Sequence, residues 1–371
     1  MDISIDRDEL YKSIARAQSI IERKSNMPIL SNILLTARNG TLFISATDLE
    51  LGFQNEIPVQ INTEGNITIS GRKLFEILKE GKNNNIKIQK KENNWVFITD
   101  GFTRFNLATY PADEYPVFFE PDEIELVDIP GALLSEMIEK TVYAVSTDEA
   151  GYKLSGIFIQ RVSRQGKVFL RMVATDGHRL SLIDKPFLAA ENLGLGNGLM
   201  VPKKGMLELG KMGQDGGSVL LGFKDKNCVA RKEKALLVIR LLESKFPDYD
   251  AVIPKEAVSS VEVARADLLD AMKRMVILSN ERYRAVKIAF ENNRMELVST
   301  NPDLGDAQEA LDVVFQGERV EAGFNPRYFI DILQSMESER VSLGFSDESK
   351  PCTLKGEADK GFLGLIMPMR L

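Results

Sequence analysis

The stretch VATDGHRLSL, residues 173–182, is where two predicted strands meet. It follows the apolar run VFLRM at residues 168–172 and breaks at Asp176-Gly177, a pair that favours a tight turn between strands. Apolar residues then return at alternate positions, Leu180 and Leu182, as in a half-buried strand. The stretch therefore predicts a β-hairpin.

Two further segments repeat this pattern. ATDLEL at residues 46–51 follows an apolar strand pattern, and so does STNPDL at residues 299–304. Asp48 and Asp176 are 128 positions apart, and Asp176 and Asn301 are 125 apart, so these three residues are predicted to be equivalent. The period matches a whole domain and exceeds the roughly 20–50 residues of solenoid repeats. The chain is therefore predicted to be a triplicated protein.

Each copy also carries two predicted helices. The first helices are predicted at residues 9–21, 133–142 and 268–276, and the second at residues 71–78, 202–209 and 325–333. In the first of them, Leu10, Ile14 and Ala17 recur three and four residues apart, which puts them on one helical face. With short alternating strands between the helices, each copy is predicted to be an α+β domain of two helices on antiparallel sheet. The predicted domains are residues 1–126, 127–250 and 251–371.

Composition narrows the class of protein. Apolar residues make up 44% of the 371 residues and charged residues 27%, as in globular proteins. The opening MDISID lacks the basic and apolar regions of an export signal, so a cytoplasmic location is predicted. No apolar run approaches the roughly 18 residues of a membrane span, so no membrane contact is expected. The net charge of −7 argues against nucleic-acid binding by bulk attraction.

Residue types that carry catalysis are scarce. His178 is the only histidine, and Cys228 and Cys352 are the only cysteines, so neither a histidine-rich nor a cysteine-based metal site is expected. No Gly-x-Ser-x-Gly elbow accompanies His178, and GLGNG at residues 194–198 lacks the context of a dinucleotide loop. The sequence predicts a binding or scaffolding protein with no metal and no cofactor.

Basic residues recur at equivalent places in the three copies. The second helices open with Arg72 and Lys73, with Lys203 and Lys204, and with Arg327. The first helices or their ends carry Lys12, Arg16, Arg23, Lys24, Lys273 and Arg274. If the copies surround an axis with these helices inward, the basic groups form a lining that touches phosphates without reading bases.

The C-terminal LIMPMRL, residues 365–371, is unusually apolar. One interpretation is a last strand tucked into a core. The other is a pocket rimmed by methionines, whose flexible side chains suit several partners. The pattern alone leaves both open.

Three motifs on a triplicated chain carry a resemblance to a known family. TDGHRL at residues 175–180, FPDY at 246–249 and MPMRL at 367–371 closely resemble the β subunits of bacterial DNA polymerase III, the sliding clamps, and the likeness runs from Leu10 to Leu371. The resemblance implies a head-to-tail homodimer whose six domains form a ring around double-stranded DNA without sequence preference. It further implies an ATP-driven clamp loader as partner, tethering of the replicative DNA polymerase alpha subunit and other clamp-motif proteins, and no enzymatic activity.

The resemblance also assigns site residues by position. The implied partner-peptide pocket consists of Leu154, Thr175, Gly177, His178, Arg179, Leu180, Pro247, Val252, Leu365, Met367, Pro368, Met369 and Arg370. The DNA-facing residues implied are Lys24, Arg72, Tyr152 and Lys153, to which the repeat adds Lys203 and Lys204. The implied dimer interface is Phe105 and Leu107 of one chain against Ile277 and Leu278 of the other.

Three positions depart from the family pattern. Ala251 stands where some relatives carry arginine, Pro351 where some carry serine, and Asp148 where a neutral amide is found. Two other functions can be distinguished from that of a ring-shaped clamp. A soluble non-ring adaptor would use the C-terminal pocket to bind short peptide motifs, and an enzyme would depend on His178 for turnover.

Overall fold

The computed structural model of the chain describes residues 1–21, 26–116, 124–147, 154–255, 257–279, 285–316, 319–346 and 349–369. Within them, each of the three copies contains two helices among short strands. The first copy comprises β1 (Asp2–Asp6), α1 (Arg7–Gln18), β2 (Asn32–Arg38), β3 (Thr41–Thr47), β4 (Leu51–Pro58), β5 (Gln60–Thr63), β6 (Gly65–Ser70), α2 (Gly71–Glu80), β7 (Asn85–Lys90), β8 (Trp95–Thr99) and β9 (Arg104–Ala108).

The second copy repeats this order with one strand fewer. It comprises β10 (Val127–Pro130), α3 (Gly131–Glu139), β11 (Gly156–Arg164), β12 (Lys167–Thr175), β13 (Arg179–Pro186), β14 (Leu199–Pro202), α4 (Lys203–Gln214), β15 (Ser218–Lys224), β16 (Asn227–Lys232) and β17 (Ala235–Arg240).

The third copy has the same order as the first. It comprises β18 (Ser259–Ala264), α5 (Arg265–Val276), β19 (Val286–Glu291), β20 (Arg294–Asn301), β21 (Gly305–Asp312), β22 (Val314–Gln316), β23 (Val320–Phe324), α6 (Pro326–Ser335), β24 (Arg340–Phe345), β25 (Cys352–Gly356) and β26 (Phe362–Ile366). The predicted α+β triplicate is confirmed, with both helices of each copy where the pattern placed them.

Local sequence explains where the helices begin. Asp6 caps α1 by accepting the backbone N–H groups of Asp8 and Glu9 at 2.9 and 3.0 Å. Asn325 caps α6 in the same way, and Pro326 follows at the first helical position, where its missing N–H is not needed. The α1 helix ends at Gln18, three residues before the predicted end.

One compact unit contains residues 1–131, 192–194 and 211–241. Its five-stranded sheet has the order β5-β1-β7-β8-β9, and its eight-stranded sheet has the order β10-β15-β16-β17-β4-β3-β2-β6. Helices α1 and α2 pack against each other. The apolar face of α1, including Leu10 and Ile14, is fully buried.

The other compact unit contains residues 132–191, 195–210 and 242–371. Its nine-stranded sheet has the order β14-β11-β12-β13-β26-β25-β24-β18-β22, and its four-stranded sheet has the order β21-β20-β19-β23. Helices α5 and α6 pack together. Gly210 of α4 lies against α3, where its carbonyl accepts the Ser135 hydroxyl at 3.1 Å.

Two sheets pass from one copy into the next. The last strand of the second copy, β17, pairs antiparallel with β4 of the first copy, with Ile239 opposite Leu51. The last strand of the third copy, β26, pairs antiparallel with β13 of the second, with Leu365 opposite Leu180. The strands of the second copy are therefore divided between the two compact units, and the domain limits predicted from the repeat stay a prediction.

The turn of the third hairpin corrects the predicted alignment of the copies. The strands before the turns end at Thr47, Thr175 and Asn301, and three residues follow each before pairing resumes. Asn301 accepts the N–H of Asp303 at 3.0 Å, just as Thr175 accepts the N–H of Gly177 at 3.1 Å. Asn301 therefore corresponds to Thr175, not to Asp176, because its side-chain oxygen replaces the threonine hydroxyl.

The two cysteines are buried, one in each unit. Cys228 lies on β16 and Cys352 on β25, and neither is in a disulfide. Burial raises the pKa of both thiols above the usual value. None of the helices in the described residues is long and apolar enough to cross a membrane.

Candidate peptide pocket and nucleic-acid interface

The turn between β12 and β13 is fixed by its own side chains. The Thr175 hydroxyl donates to the Arg179 carbonyl at 2.6 Å, and the Asp176 carboxylate accepts the N–H groups of His178 and Arg179 at 3.0 Å each. Gly177 has a φ of +89°, a left-handed conformation that is strained for other residues. The TDGHR motif is therefore the local reason for this turn.

An apolar floor lies beside the turn on one face of the nine-stranded sheet. The buried members of this cluster are Val173, Leu180, Leu182, Met200, Phe246, Tyr249 and Leu365. The half-buried residues packed against it are Leu154, Phe158, Leu242, Ile253 and Leu363. Phe158 and Phe246 stack with ring centroids 5.0 Å apart. The structure thus brings together predicted pocket residues from the second and third copies, namely Leu154, Leu180 and Leu365.

The rim of the floor is more exposed. Val252 is 45% exposed and Pro247 is also exposed, while Met367, Pro368 and Met369 are half-buried. The N–H of Met367 donates to the His178 carbonyl at 2.8 Å, which holds the C-terminal segment against the turn. The interpretation as a last strand in a core is confirmed for β26, whereas the pocket rimmed by the half-buried methionines stays a prediction.

Arg179 is engaged inside the protein. Its guanidinium donates to Asp176 at 3.0 Å, to the Tyr143 carbonyl at 2.6 Å and to Asp331. The rings of Tyr143 and Tyr328 lie 5.5 and 4.7 Å from the guanidinium carbon. Its side chain is only 11% exposed, so Arg179 holds the turn in place and offers little free charge.

A buried ion pair lies behind the turn. The Lys140 ammonium bonds to Asp359, and the two side chains are 3% and 0% exposed. Burial would raise the pKa of Asp359, but the hydrogen bonds from Lys140 and Ser338 hold it below its usual value. The Ser181 hydroxyl of β13 donates to the Lys140 carbonyl, which connects the ion pair to the pocket strand.

Sequence reasoning missed several residues around the pocket. Tyr143, Tyr328 and Asp331 surround Arg179. Asp331 lies on α6, 152 residues from Arg179, so no local motif could have indicated the contact. Of the departures from the family pattern, Ala251 is exposed and Pro351 is buried.

Several of the predicted basic residues have acidic partners. Arg72 and Lys73 both lie 2.8 Å from Glu76, and Arg16 lies 2.8 Å from Asp215. The side chain of Arg72 nevertheless remains 75% exposed. The charge of these residues is therefore largely compensated locally.

The lysines that open α4 are half-buried. Burial is the main reason that the pKa of Lys203 is lowered, and the nearby Arg179 charge adds to the effect. Lys24, Tyr152, Lys153, Arg370 and the Asp148 departure lie outside the described residues.

The predicted dimer residues lie on two different surfaces. Phe105 and Leu107 are half-buried on β9, an edge strand. Ile277, directly after α5, is 74% exposed, and Leu278 is half-buried. No cluster of three or more potential metal ligands occurs among the side chains of the described ranges.

Three copies of two helices and antiparallel sheet, joined through shared sheets, define the clamp fold. Models of the DNA polymerase III beta subunit match its N-terminal domain at residues 1–119, its central domain at 128–248 and its C-terminal domain at 250–370. The chain belongs to the DNA polymerase III beta subunit family.

Individual relatives agree along the whole chain. The beta sliding clamp of Caulobacter vibrioides strain NA1000 is 32% identical over 375 residues, covering 100% of both sequences. A Caulobacter crescentus clamp, solved with polyethylene glycol at a region described as beta-motif tethering, has a TM-score of 0.94 and 32% identity, covering 100% of this chain and 99% of that one. A Bartonella birtlesii clamp bound to griselimycin has a TM-score of 0.95 and 31% identity, covering 100% of both.

Proposed function

We propose that this protein is a DNA polymerase processivity factor, a sliding clamp that encircles duplex DNA and tethers the polymerase without catalysing a reaction. The observation that carries the proposal is the way in which the copies join. In both joints of the chain, the last strand of one copy pairs with the strand after the turn of the preceding copy, as β17 with β4 and β26 with β13.

The same rule supports a homodimer. The first copy's last strand, β9, and the third copy's strand after the turn, β21, are edge strands of their sheets in the described part of the chain. An edge strand presents unpaired backbone groups that favour pairing with another strand. Pairing β9 of one protomer with β21 of its partner makes a third joint of the same kind. Two such joints close two chains into a six-domain ring.

Apolar side chains support this joint. Ile277 is 74% exposed, which is costly to leave in water. A cavity of about 130 Å³ beside β9 is lined by residues that include Ile77 and Phe105. We propose that Phe105 and Leu107 of one protomer face Ile277 and Leu278 of the other.

The charges suit a ring that slides. The chain carries a net charge of −7, and Arg72 and Lys73 share the acidic partner Glu76. A protein that holds DNA by affinity needs many free cations, whereas a closed ring needs only weak contacts. Arg72, Lys203 and Lys204, with Lys24, Tyr152 and Lys153, are the proposed DNA-facing residues. We expect the protein to act in the cytoplasm, where bacterial DNA is replicated.

The apolar floor supports binding of partner peptides. Leu180, Leu365 and Met367 offer an apolar surface held by a rigid turn, which suits side chains such as those of a Gln-Leu-x-Leu-Phe segment. The proposed partners are the replicative polymerase alpha subunit, the clamp loader and other clamp-motif proteins.

DNA topology provides the test. The protein is loaded on nicked circular DNA with its clamp loader and ATP, and the complex is isolated by gel filtration. We expect retention on the circle and loss after one cut linearises it, because the ring slides off the ends. Equal retention on both DNAs would contradict encirclement, and peptide binding without retention on either would favour the non-ring adaptor.

A further inference from the structure

A second cavity lies on the pocket face of the nine-stranded sheet. Its volume is about 430 Å³, and its lining combines Leu182, Ile253 and Leu363 with charged side chains. These three apolar residues also belong to the apolar floor. The cavity and the floor are therefore continuous.

Strand geometry sets the distance between the apolar floor and the charged end of the cavity. Thr175 pairs with Leu180, Val173 with Leu182, and Arg171 with Asp184, so alternate pairs lie on one face. From Leu180 at the floor to Asp184 in the cavity is four residues, or about 13 Å at roughly 3.3 Å per residue. An extended peptide segment anchored at Leu180 reaches the cavity within four or five residues.

The acids of the cavity are already neutralised. The Arg171 guanidinium bonds to Asp184 at 2.6 and 2.7 Å, and Arg164 lies 3.2 Å from the same carboxylate. Asp250 lies 3.6 Å from Arg171. The side chain of Arg171 is only 4% exposed, so this network is part of the cavity wall.

Two lysines of the cavity have no acidic partner among the described residues. Lys255 and Lys355 line the cavity and are exposed, and neither forms an ion pair with a residue in the described ranges. With two arginines, two lysines and two acids, the cavity has a formal excess of two positive charges. A ligand of complementary charge is acidic.

We propose that this cavity is a second subsite of the partner groove and binds acidic residues that flank the apolar anchor of a partner peptide. The inference rests on the proposed function, because the anchor must first bind at the floor. Lys255 and Lys355 thereby distinguish partners by the charge of the flank, four or five residues from the anchor. The expected gain is modest, because exposed ion pairs are weak and are screened by salt.

Fluorescence anisotropy on the full-length protein tests this inference. The probes are labelled peptides with a Gln-Leu-Ser-Leu-Phe core. One has neutral Ser-Gly flanks, and two others have a pair of aspartates four and five residues before or after the core. We expect one acidic peptide to bind about three- to tenfold more tightly than the neutral peptide, and less so at high salt.

Matched variants locate the effect. In the Lys255→Gln/Lys355→Gln double variant the acidic and neutral peptides should bind equally, with the neutral peptide unchanged. In the control, Lys167→Gln/Lys234→Gln, two exposed lysines outside the cavity lose the same charge and the gain should persist.

The outcomes separate the two proposals. An acidic gain that persists in the cavity variant, or no gain from either flank, overturns the subsite while leaving the pocket intact. Failure of the wild-type protein to bind even the neutral peptide overturns the pocket and the subsite together.

Discussion

The turns of the first and second copies have the same backbone and different surfaces. The hydroxyls of Thr47 and Thr175 donate to carbonyls four residues on, at 2.7 and 2.6 Å. The strand that arrives from the following copy donates to each turn at 2.8 Å, from Arg240 to Glu50 and from Met367 to His178. The repeat therefore conserves the geometry of the turn down to individual hydrogen bonds.

The side chains at equivalent places differ in chemistry. Gly52 stands at the position of Leu180, and Arg240 at that of Met367. A cavity of about 340 Å³ beside the first turn is lined by residues that include Glu50 and Arg240. The comparison teaches that the fold supplies the same turn geometry twice. Of these two turns, only the second, where the third copy joins it, carries the apolar side chains of the proposed peptide pocket.

The largest effect should come from breaking the buried Lys140–Asp359 ion pair behind the second turn. Lys140→Met leaves Asp359 buried without its cation, and loss of one partner of a buried pair costs about 3–5 kcal/mol. Urea unfolding measures the change in the free energy of unfolding. Lys12→Met, at an exposed lysine of α1 in the first copy, is the control and should change it by less than about 0.5 kcal/mol. A similar loss of unfolding free energy in both variants would show that the Lys140–Asp359 ion pair has no special role in stability.

Replacing a pocket residue of the second turn by its counterpart from the first turn should weaken peptide binding. Met367→Arg gives the second pocket the cation of the first, and a charge against the apolar floor should weaken peptide binding by about 3 kcal/mol, or roughly a hundredfold in Kd. The reciprocal Arg240→Met should leave Kd for a Gln-Leu-x-Leu-Phe peptide unchanged. Calorimetric titration measures both. Unaltered binding by Met367→Arg would remove Met367 from the pocket.

A smaller effect should come from the aromatic residue that precedes the closing proline of the first and second copies. The Tyr115 hydroxyl accepts the Thr47 N–H at 3.2 Å and donates to the Asn32 carbonyl at 3.1 Å, whereas Phe246 occupies the equivalent place without a hydroxyl. Tyr115→Phe should cost about 1–2 kcal/mol of unfolding free energy, because two buried backbone groups lose their partner. Urea unfolding measures this change. Phe246→Leu, which removes a ring from the apolar floor, should instead weaken peptide binding, whereas Tyr115→Phe should leave peptide binding unchanged.

Tyr115 should also make the stability of the protein depend on pH in the alkaline range. Burial raises the pKa of Tyr115 to about 12. The unfolded tyrosine loses its proton near pH 10 while the folded one keeps it, so the stability that this group contributes falls between about pH 10 and 12. The fall should be smaller in Tyr115→Phe than in the wild type when melting temperatures are compared across that range. Identical pH profiles would contradict the role of the hydroxyl.

The sequence was most informative where structure is local. The TDGHR turn and the helical faces follow from residues close together in the chain, and the structure has them as predicted. The alignment of the third turn was wrong by one residue because Asn301 resembles Asp176 in shape but accepts a hydrogen bond in the place of Thr175. A side chain that replaces another by a shared hydrogen bond is invisible to a simple comparison of letters.

Long-range partners could not be predicted. Arg16 bonds to Asp215, 199 residues away, and Arg179 to Asp331, 152 residues away. The sequence placed Arg16 in a phosphate-binding lining and Arg179 in the peptide pocket, but in the folded chain each of these arginines is paired with an acid. Because such pairs depend on which helices and strands meet, they follow from the tertiary structure and not from the spacing of charges.

The placement of the two cysteines has a practical consequence. Cys228 and Cys352 are fully buried, in different compact units, on strands adjacent to β17 and β26. A thiol reagent can react with each only when its own unit opens, since burial shields the sulfur and raises its pKa. Each compact unit thus contains one cysteine, and the rate at which a thiol reagent modifies that cysteine reports the opening of the sheet that joins two copies.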